Sequence, residues 1–249
     1  MTKKEILDYI IETPGNTNRA VLSGMLDSFE GGSGGGGGSN RLTVEVDDSG
    51  VAFGWSQDFD VVAIIPEGVT SIGNVAFRYC KNLTSVTIPE GVTSIGDSAF
   101  ELCSSLTSIT IPSSVTSIGK SAFASCGNLK SITLPEGLTS INDNVFDLCG
   151  SLENITIPEG VTSIGASAFN ACSFLTSVTI PEGLTSIGNS AFRACARLES
   201  ITIPSSVASI GTNVFANCTR LRTINCGFAE GAVSGAPWGA TNATINYNV

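Results

Sequence analysis

The sequence predicts an α/β solenoid of seven 23-residue units that stack on one another and share a parallel sheet. Seven copies of one pattern follow each other at a fixed spacing and occupy residues 65–225. A fixed period over so many copies is typical of repeat proteins, whose units bury a continuous core only by stacking. Within each unit, apolar and polar residues alternate over six positions before a proline, as they do in a half-buried strand.

The second copy of the pattern illustrates the predicted unit. A strand over 83–88 turns its Leu, Val and Ile inward, and residues 92–96 form a second short extended segment. Residues 98–103 are predicted to make a helical turn whose Ala, Phe and Cys face the core. The repeats begin at Ile65, Ile88, Ile111, Leu134, Ile157, Ile180 and Ile203.

Four further segments flank the array. Residues 1–30 are predicted to form a short helical hairpin, because Thr2 to Glu5 fits a capping box and apolar residues follow at helical spacing. Residues 31–39 are a Gly/Ser-rich flexible linker, either natural or a fusion joint. The hairpin packs on the solenoid or serves as an anchoring or oligomerisation segment, and the linker favours the second hypothesis.

The array needs a cap at each end, because its terminal units would otherwise expose core and sheet edge. Residues 40–64 alternate in polarity around an Asp-Asp-Ser-Gly turn at 47–50, which predicts a β-rich N-terminal cap. Residues 226–249, which follow the last repeat, are interpreted as the C-terminal cap.

Composition excludes several classes of partner. The chain carries 12 Lys and Arg against 22 Asp and Glu, a net charge of −10. Phosphate backbones and anionic membranes attract clustered basic residues, so we expect no nucleic-acid binding and no electrostatic membrane docking. No run of eighteen apolar residues is present, so we expect no membrane insertion, and the first residues lack the apolar core of a signal peptide.

Catalytic chemistry is poorly supported by the residue types present. The chain has no histidine, which removes the commonest general base and zinc ligand. Five glutamates share one column of the repeat, either as a cation ladder or as a solvated edge, but Ser113 and Ser205 interrupt it. The cysteines recur at an even spacing, which differs from the clustered cysteine pairs of zinc sites, so they are predicted to be buried free thiols. The seven column cysteines are Cys80, Cys103, Cys126, Cys149, Cys172, Cys195 and Cys218, with Cys226 apart. We therefore expect no enzyme activity, no cofactor and no metal.

The repeat pattern IPxxVTSIGxxAFxxCxxLTSV resembles the BspA-like leucine-rich repeat family over residues 65–225. The resemblance implies a right-handed leucine-rich-repeat solenoid, a fold found in bacterial surface adhesins, protist surface proteins and bacteriophage structural proteins. Residues 1–27 also resemble the N-terminal segment of phage fiber-like virion proteins. Residues 228–249 resemble the ending of repeat proteins in prophages of gut bacteria.

A candidate binding surface lies where the repeats differ, beside the Phe and Cys columns. Aromatic and Arg side chains in a polar surrounding are typical of interface anchors. The alternative is that these positions are unconstrained and vary without function. The predicted surface comprises Arg78, Tyr79, Lys81, Glu101, Leu102, Asp147, Leu148, Asn170, Phe174, Arg193, Arg197 and Arg220.

Together these features predict a non-enzymatic phage virion-associated fiber or decoration protein, made in the bacterial cytoplasm and located on the virion. Its expected partner is a host-surface glycan or protein, and residues 1–30 would bind a virion component or form a homo-oligomer. The alternatives are a BspA-like adhesin at the bacterial cell surface, an intracellular structural scaffold and an engineered fusion.

Overall fold

The computed structural model of the chain describes residues 41–42, 44–46, 51–54, 61–65 and 67–249, with side chains from residue 62 onward. Nineteen short strands, β1 to β19, lie within these residues, and nearly all of them pair in parallel. The hairpin and linker predicted for residues 1–39 lie outside the described part of the chain.

The strands form two ladders that run along the array. The long ladder contains β1 (Arg41–Leu42), β4 (Val61–Ile64), β6 (Leu83–Thr87), β8 (Ser108–Thr110), β10 (Ser131–Thr133), β12 (Asn154–Thr156), β14 (Ser177–Thr179), β16 (Ser200–Ile203), β18 (Thr223–Cys226) and β19 (Thr244–Tyr247). The short ladder contains β2 (Val44–Val46), β3 (Val51–Gly54), β5 (Ser71–Ile72), β7 (Ser94–Ile95), β9 (Ser117–Ile118), β11 (Ser140–Ile141), β13 (Ser163–Ile164), β15 (Ser186–Ile187) and β17 (Ser209–Ile210).

The long ladder follows the predicted alternation. Paired strands of the central repeats are offset by 23 residues, as in Ile109 with Ile132 and Ile155 with Val178. Pairing is interrupted between β6 and β8, between β10 and β12, and between β14 and β16. The apolar residue at the centre of β8, β10 and β12 is buried, and the Ser, Asn or Thr residues on either side of it are exposed. The predicted parallel pairing between repeats is confirmed, because β2 with β3 is the one antiparallel pair among the described strands.

The short ladder depends on glycine at the ninth position of the repeat. A Cβ atom on Gly188 would lie 2.5 Å from the backbone nitrogen of Ala166, closer than atoms can approach. The fourth repeat has Asn142 instead, and the ladder is interrupted there, between β9 and β11. The Asn142 side-chain amide donates a hydrogen bond of 2.7 Å to the Ile118 carbonyl. At this interruption the Ile118 carbonyl therefore bonds to a side chain.

The segment between the two ladders is not helical, and this part of the α/β prediction is wrong. In the second repeat, the amides of Ser98, Phe100 and Leu102 donate to carbonyls of the next repeat at 2.7–2.8 Å. The intervening amides donate three residues back within their own turn. An α-helix would bond every amide to the fourth preceding residue. The segment is therefore a ladder of tight turns, and the described part of the chain contains no helix.

The core is a stack of identical layers. The rings of seven phenylalanines, from Phe77 to Phe215, lie parallel to one another with centroids 5.1–6.1 Å apart. All seven are fully buried, and no polar or charged side chain is buried among the described residues. Such burial removes a large apolar area from water in every repeat, which stabilises the array as a whole.

The last 24 residues add an eighth coil. Strand β19 pairs in parallel with β18, continuing the long ladder by one strand. Trp238 is 2 % exposed, and its carbonyl accepts from the amide of Phe215 at 2.9 Å. Its indole nitrogen donates to the Ser234 carbonyl at 2.9 Å. The Trp238 ring packs edge-on against Phe228, with centroids 6.3 Å apart.

Candidate functional site: the turn-segment surface

The repeat is numbered here from its Ile-Pro step, so that Ile65 occupies position 1. We define the turn segment as positions 10–18, which are residues 97–105 in the second repeat. Two positions of this segment have positive φ in all seven repeats: position 11 at 53–57° and position 15 at 57–64°. None of these fourteen residues is glycine. Two sets of backbone hydrogen bonds hold this conformation: one joins the turn to the next repeat, and the other closes the turn on itself.

The turn segment carries every residue of the predicted binding surface. Eight of the twelve are exposed, and Glu101, Leu102, Asp147 and Asn170 are partly buried. The residues fall at positions 14, 15, 17 and 18, so the structure aligns them in columns along the array. They form two groups on different repeats of the array rather than a single pocket.

The first group lies on the first two repeats. The Arg78 guanidinium forms two contacts with the Glu101 carboxylate, at 2.9 and 3.0 Å, and lies 4.9 Å from the centroid of the Tyr79 ring. Tyr79 itself is 50 % exposed. An ion pair at the surface contributes little to stability, so this arrangement mainly orients the tyrosine and the arginine.

The second group begins on the fourth repeat. The Asn170 side chain donates to the Asp147 carboxylate at 2.8 Å, and no other described residue satisfies the buried Oδ1 of Asn170. The Arg197 guanidinium carbon lies 3.7 Å from the centroid of the Phe174 ring, which is 42 % exposed. Leu148 follows Asp147 in the chain, at position 15, and is 52 % exposed.

Position 10 supplies a structural ladder that the sequence interpretation missed. The side-chain oxygen of Asn74 accepts from the amide of Asp97, whose carboxylate accepts from the amide of Lys120. Asp143 and Asn189 repeat this bond with the coil that follows each of them. The recurrence of Asn and Asp at position 10 was the available signal, because these short side chains readily bond to backbone amides.

Lys120 and Asp143 form an ion pair of 2.9 Å within this ladder. The hydrogen bond from Lys120 is the main cause that lowers the pKa of the Asp143 carboxyl, and the Ala166 amide adds to it. The same hydrogen bond raises the pKa of Lys120.

The eight cysteines are free and buried, as the sequence predicted. Six of them also donate a hydrogen bond from Sγ to the phenylalanine carbonyl of the preceding coil, at 3.0–3.2 Å. Burial raises the pKa of Cys126 to about 12 and that of Cys218 to about 11. A thiol held protonated inside the core is neither a nucleophile nor a metal ligand.

Other chemical sites find little support in the described residues. No group of three Cys, Asp or Glu residues in residues 62–249 could hold a metal ion. Within the same part of the chain, no helix could cross a membrane. A shallow depression of about 280 Å³ opens on the long ladder beside Leu134, Glu136 and Asn154, and it collects no catalytic group.

Comparison with known proteins agrees with this geometry. The family model described as the BspA type leucine rich repeat region matches six copies of its pattern at residues 52–174 and 139–229. The chain belongs to this family. Leucine-rich repeats of this kind are typically non-enzymatic binding scaffolds, and BspA-like proteins are often found at bacterial cell surfaces.

This BspA-like protein is similar to solved structures of bacterial leucine-rich repeat proteins, and the first of them shares its fold. The leucine-rich repeat protein of T. pallidum, TpLRR, is 27% identical with a TM-score of 0.63, and the match covers 75% of this chain and 91% of TpLRR. A leucine rich cell surface protein of Faecalibacterium prausnitzii is 30% identical with a TM-score of 0.49, and the match covers 76% of this chain and 60% of that protein. No curated protein sequence matches the chain significantly.

Proposed function

We propose that this BspA-like protein is a non-enzymatic binding protein that recognises a glycan or protein on a bacterial cell surface through its turn-segment surface. The main support for this proposal is the position of the exposed apolar side chains. Of the seven large hydrophobic residues exposed between residues 62 and 249, four lie on turn segments: Val75, Tyr79, Leu148 and Phe174. The exposed residues of the long ladder in the central repeats are small and polar instead.

Backbone strain strengthens this argument. Position 15 requires a left-handed backbone, which costs a bulky L-residue about 1–2 kcal/mol and costs glycine nothing. Tyr79, Leu102 and Leu148 nevertheless occupy it, and none of the three is buried in the core. Their side chains therefore add little to folding, and contact with a partner is the benefit that exposed aromatic and aliphatic groups can provide.

For the setting of this binding, we propose that the protein is a fiber or decoration protein of a phage virion. The support is the resemblance of residues 1–27 to phage fiber-like proteins and of residues 228–249 to prophage repeat proteins. Tethered copies on one particle would bind with avidity even if each site were weak. An adhesin of the bacterial surface is the second candidate, favoured by the membership of the chain in the BspA family.

Binding to cells tests the proposed surface. Fluorescently labelled protein would be titrated onto a panel of bacterial strains, and a triple variant, Tyr79→Ala, Arg193→Ala and Arg197→Ala, would be compared with it. We expect the variant to bind at least about tenfold more weakly, since hot-spot residues contribute more than about 1.4 kcal/mol. A matched triple variant of the long ladder, Thr110→Ala, Thr133→Ala and Thr156→Ala, should bind like the parent protein.

The location of the protein, on virions or on the cell envelope, is tested separately by immunogold labelling of a producing culture. Gold on phage particles supports the virion setting, and gold on cell envelopes supports the adhesin. Label confined to the cytoplasm would contradict both and favour a structural scaffold.

A further inference from the structure

Two cations on the turn segments form an ion pair with an acid one coil further along. Arg78 is paired with Glu101, and Lys120 with Asp143, each exactly one repeat of 23 residues later. Side chains so related lie about 4.8 Å apart along the array, the spacing of neighbouring strands. A carboxylate at that distance neutralises the cation and orients it.

The sixth and seventh repeats place a second cation where these two pairs have an acid. Arg197 occupies position 18, and the residue one repeat later is Arg220. Hydrogen bonds on both sides hold the two in register: Thr219 Oγ1 donates to the Ala196 carbonyl, and the Arg222 amide donates to the Glu199 carbonyl. Two exposed arginines thus occupy the same position of adjacent coils, and no carboxylate within the described residues lies in ion-pair range of either.

The surroundings of this pair are also basic. Residues 193–222 contain four arginines and one glutamate, in a chain whose net charge is −10. Arg193 is exposed four residues before Arg197, whereas the Arg222 guanidinium donates to the carbonyls of Thr219 and Leu221. The acid of this region, Glu199, is exposed at position 20. We name Arg193, Arg197 and Arg220 the arginine patch.

Phe174 orients Arg197, one member of the patch. The ring supports the flat face of the Arg197 guanidinium at 3.7 Å, which limits the motion of a long side chain. Stacking leaves the in-plane N–H donors free, and their fork fits a carboxylate, sulfate or phosphate group. An anionic polymer that follows the array meets Arg197 and Arg220 on adjacent coils.

We propose that the arginine patch binds an acidic polysaccharide, with anionic groups on Arg197 and Arg220. This proposal rests on the proposed function and names its ligand class. Arg197 covers one face of the Phe174 ring, which leaves little apolar surface in the patch for the side chains of an acidic peptide. Exposed hydroxyl groups of Thr176 and Thr219 flank it instead, and these suit the hydroxyl groups of sugar units.

The full chain is tested against immobilised polygalacturonate, dextran sulfate and glycerol teichoic acid, which present carboxylates, sulfates and phosphates. Neutral dextran and polyglutamate serve as comparison polymers. We expect binding to at least one acidic polysaccharide, weakened by added salt because exposed charges are screened. The Arg197→Gln and Arg220→Gln double variant should bind at least about tenfold more weakly, since each hydrogen bond to a charged group contributes about tenfold or more. Lys120→Gln with Lys130→Gln, which removes the same charge elsewhere, should stay within about twofold.

Two further readouts separate a binding role from a structural one. Phe174→Ala should weaken binding by about threefold and Phe174→Trp should retain it, because the stack only orients Arg197. The polysaccharide should raise the Tm of the parent protein and leave that of the double arginine variant unchanged.

Different failures have different meanings. If the full chain binds bacterial cells but the double arginine variant binds them equally well, the patch proposal is overturned and the proposed function stands. Equal binding of neutral dextran, or tighter binding of polyglutamate, also overturns it. If the full chain binds neither cells nor any polymer, the proposed function fails and this proposal fails with it.

Discussion

At the scale of single residues, the buried cysteines combine two roles. Each fills space in the core, and six of the thiols donate to a phenylalanine carbonyl one coil earlier. Sequence alone predicted the burial, because cysteine is among the most buried residue types. It could not predict the hydrogen bond, since a cysteine that packs and one that also donates have the same sequence signature.

The thiols should make stability strongly dependent on alkaline pH. Burial raises the pKa of Cys218 and Cys226 to about 11 and that of Cys126 to about 12, from an ordinary value of 9.0. Above pH 9 the unfolded chain therefore loses protons that the folded protein keeps. The free energy of unfolding should be insensitive to these thiols below pH 8 and fall between about pH 9 and 11. Each thiol should contribute about 1.4 kcal/mol per pH unit.

Urea unfolding at pH 7, 8, 9 and 10 measures this dependence. A double variant, Cys149→Ala and Cys172→Ala, serves as control and should release about two fewer protons on unfolding. Equal slopes for the variant and the parent protein would show that the thiols do not cause the pH dependence.

The phenylalanine stack should dominate stability. Phe146 is fully buried, with ring centroids of its neighbours at 5.7 and 5.4 Å. Phe146→Ala should lower the free energy of unfolding by about 3–5 kcal/mol, because it removes a large group and leaves a cavity. Phe174→Ala, at a 42 % exposed ring, should cost less than about 1 kcal/mol. Denaturant titration compares the two, and equal losses would refute the assignment of core and surface.

At the scale of elements, the turn segment shows where sequence interpretation succeeded and where it failed. The inward residues at positions 12, 13 and 16 were predicted correctly, as Ala99, Phe100 and Cys103 are buried. The helical conformation was wrong, because a helix and a ladder of tight turns both bring such residues to one face. They differ in whether amides bond within the segment or to the next repeat. The sequence of a single repeat does not show which bonds its amides form with the next repeat. The fourteen residues with left-handed backbone are not glycines, so the sequence did not indicate this conformation either.

Where the short ladder is continuous, its close stacking should make position 9 intolerant of side chains. Gly188→Ala would place Cβ 2.5–2.9 Å from the backbone of Gly165 and Ala166. We expect a loss of about 3 kcal/mol in the free energy of unfolding, since backbone in a packed ladder cannot move aside. Gly127→Ala is the matched control, because a Cβ there meets no atom within 4 Å. Denaturant titration of both variants measures the difference, and similar losses would disprove the stacking argument.

At the scale of the whole molecule, the repeat period carried most of the fold. It predicted the number of repeats, the parallel pairing and the inward columns, because a strict period forces every unit into one environment. The position-10 ladder and the Arg197 stack on Phe174 depend on which residues meet one repeat apart. Column-by-column comparison of the repeats could have suggested both contacts, but their geometry is visible only in three dimensions.

Removal of residues 1–39 should separate assembly from folding. The predicted hairpin of residues 1–30 is too short to be stable alone, so we expect it to need a partner. The truncated protein should be a folded monomer with a Tm close to that of the full chain, which should form oligomers. Sedimentation velocity measures both species. Identical self-association of the two would contradict the proposed role of residues 1–30.

The central claim is that recognition belongs to the solenoid and is lost with its turn-segment surface. The most direct test is the binding of residues 40–249 to bacterial cells that bind the full chain, measured beside residues 1–39 fused to an inert carrier. The account predicts that residues 40–249 bind, more weakly for lack of avidity, and that the variant with Tyr79, Arg193 and Arg197 replaced by Ala does not. Binding by the carrier fusion, with none by residues 40–249, would contradict it.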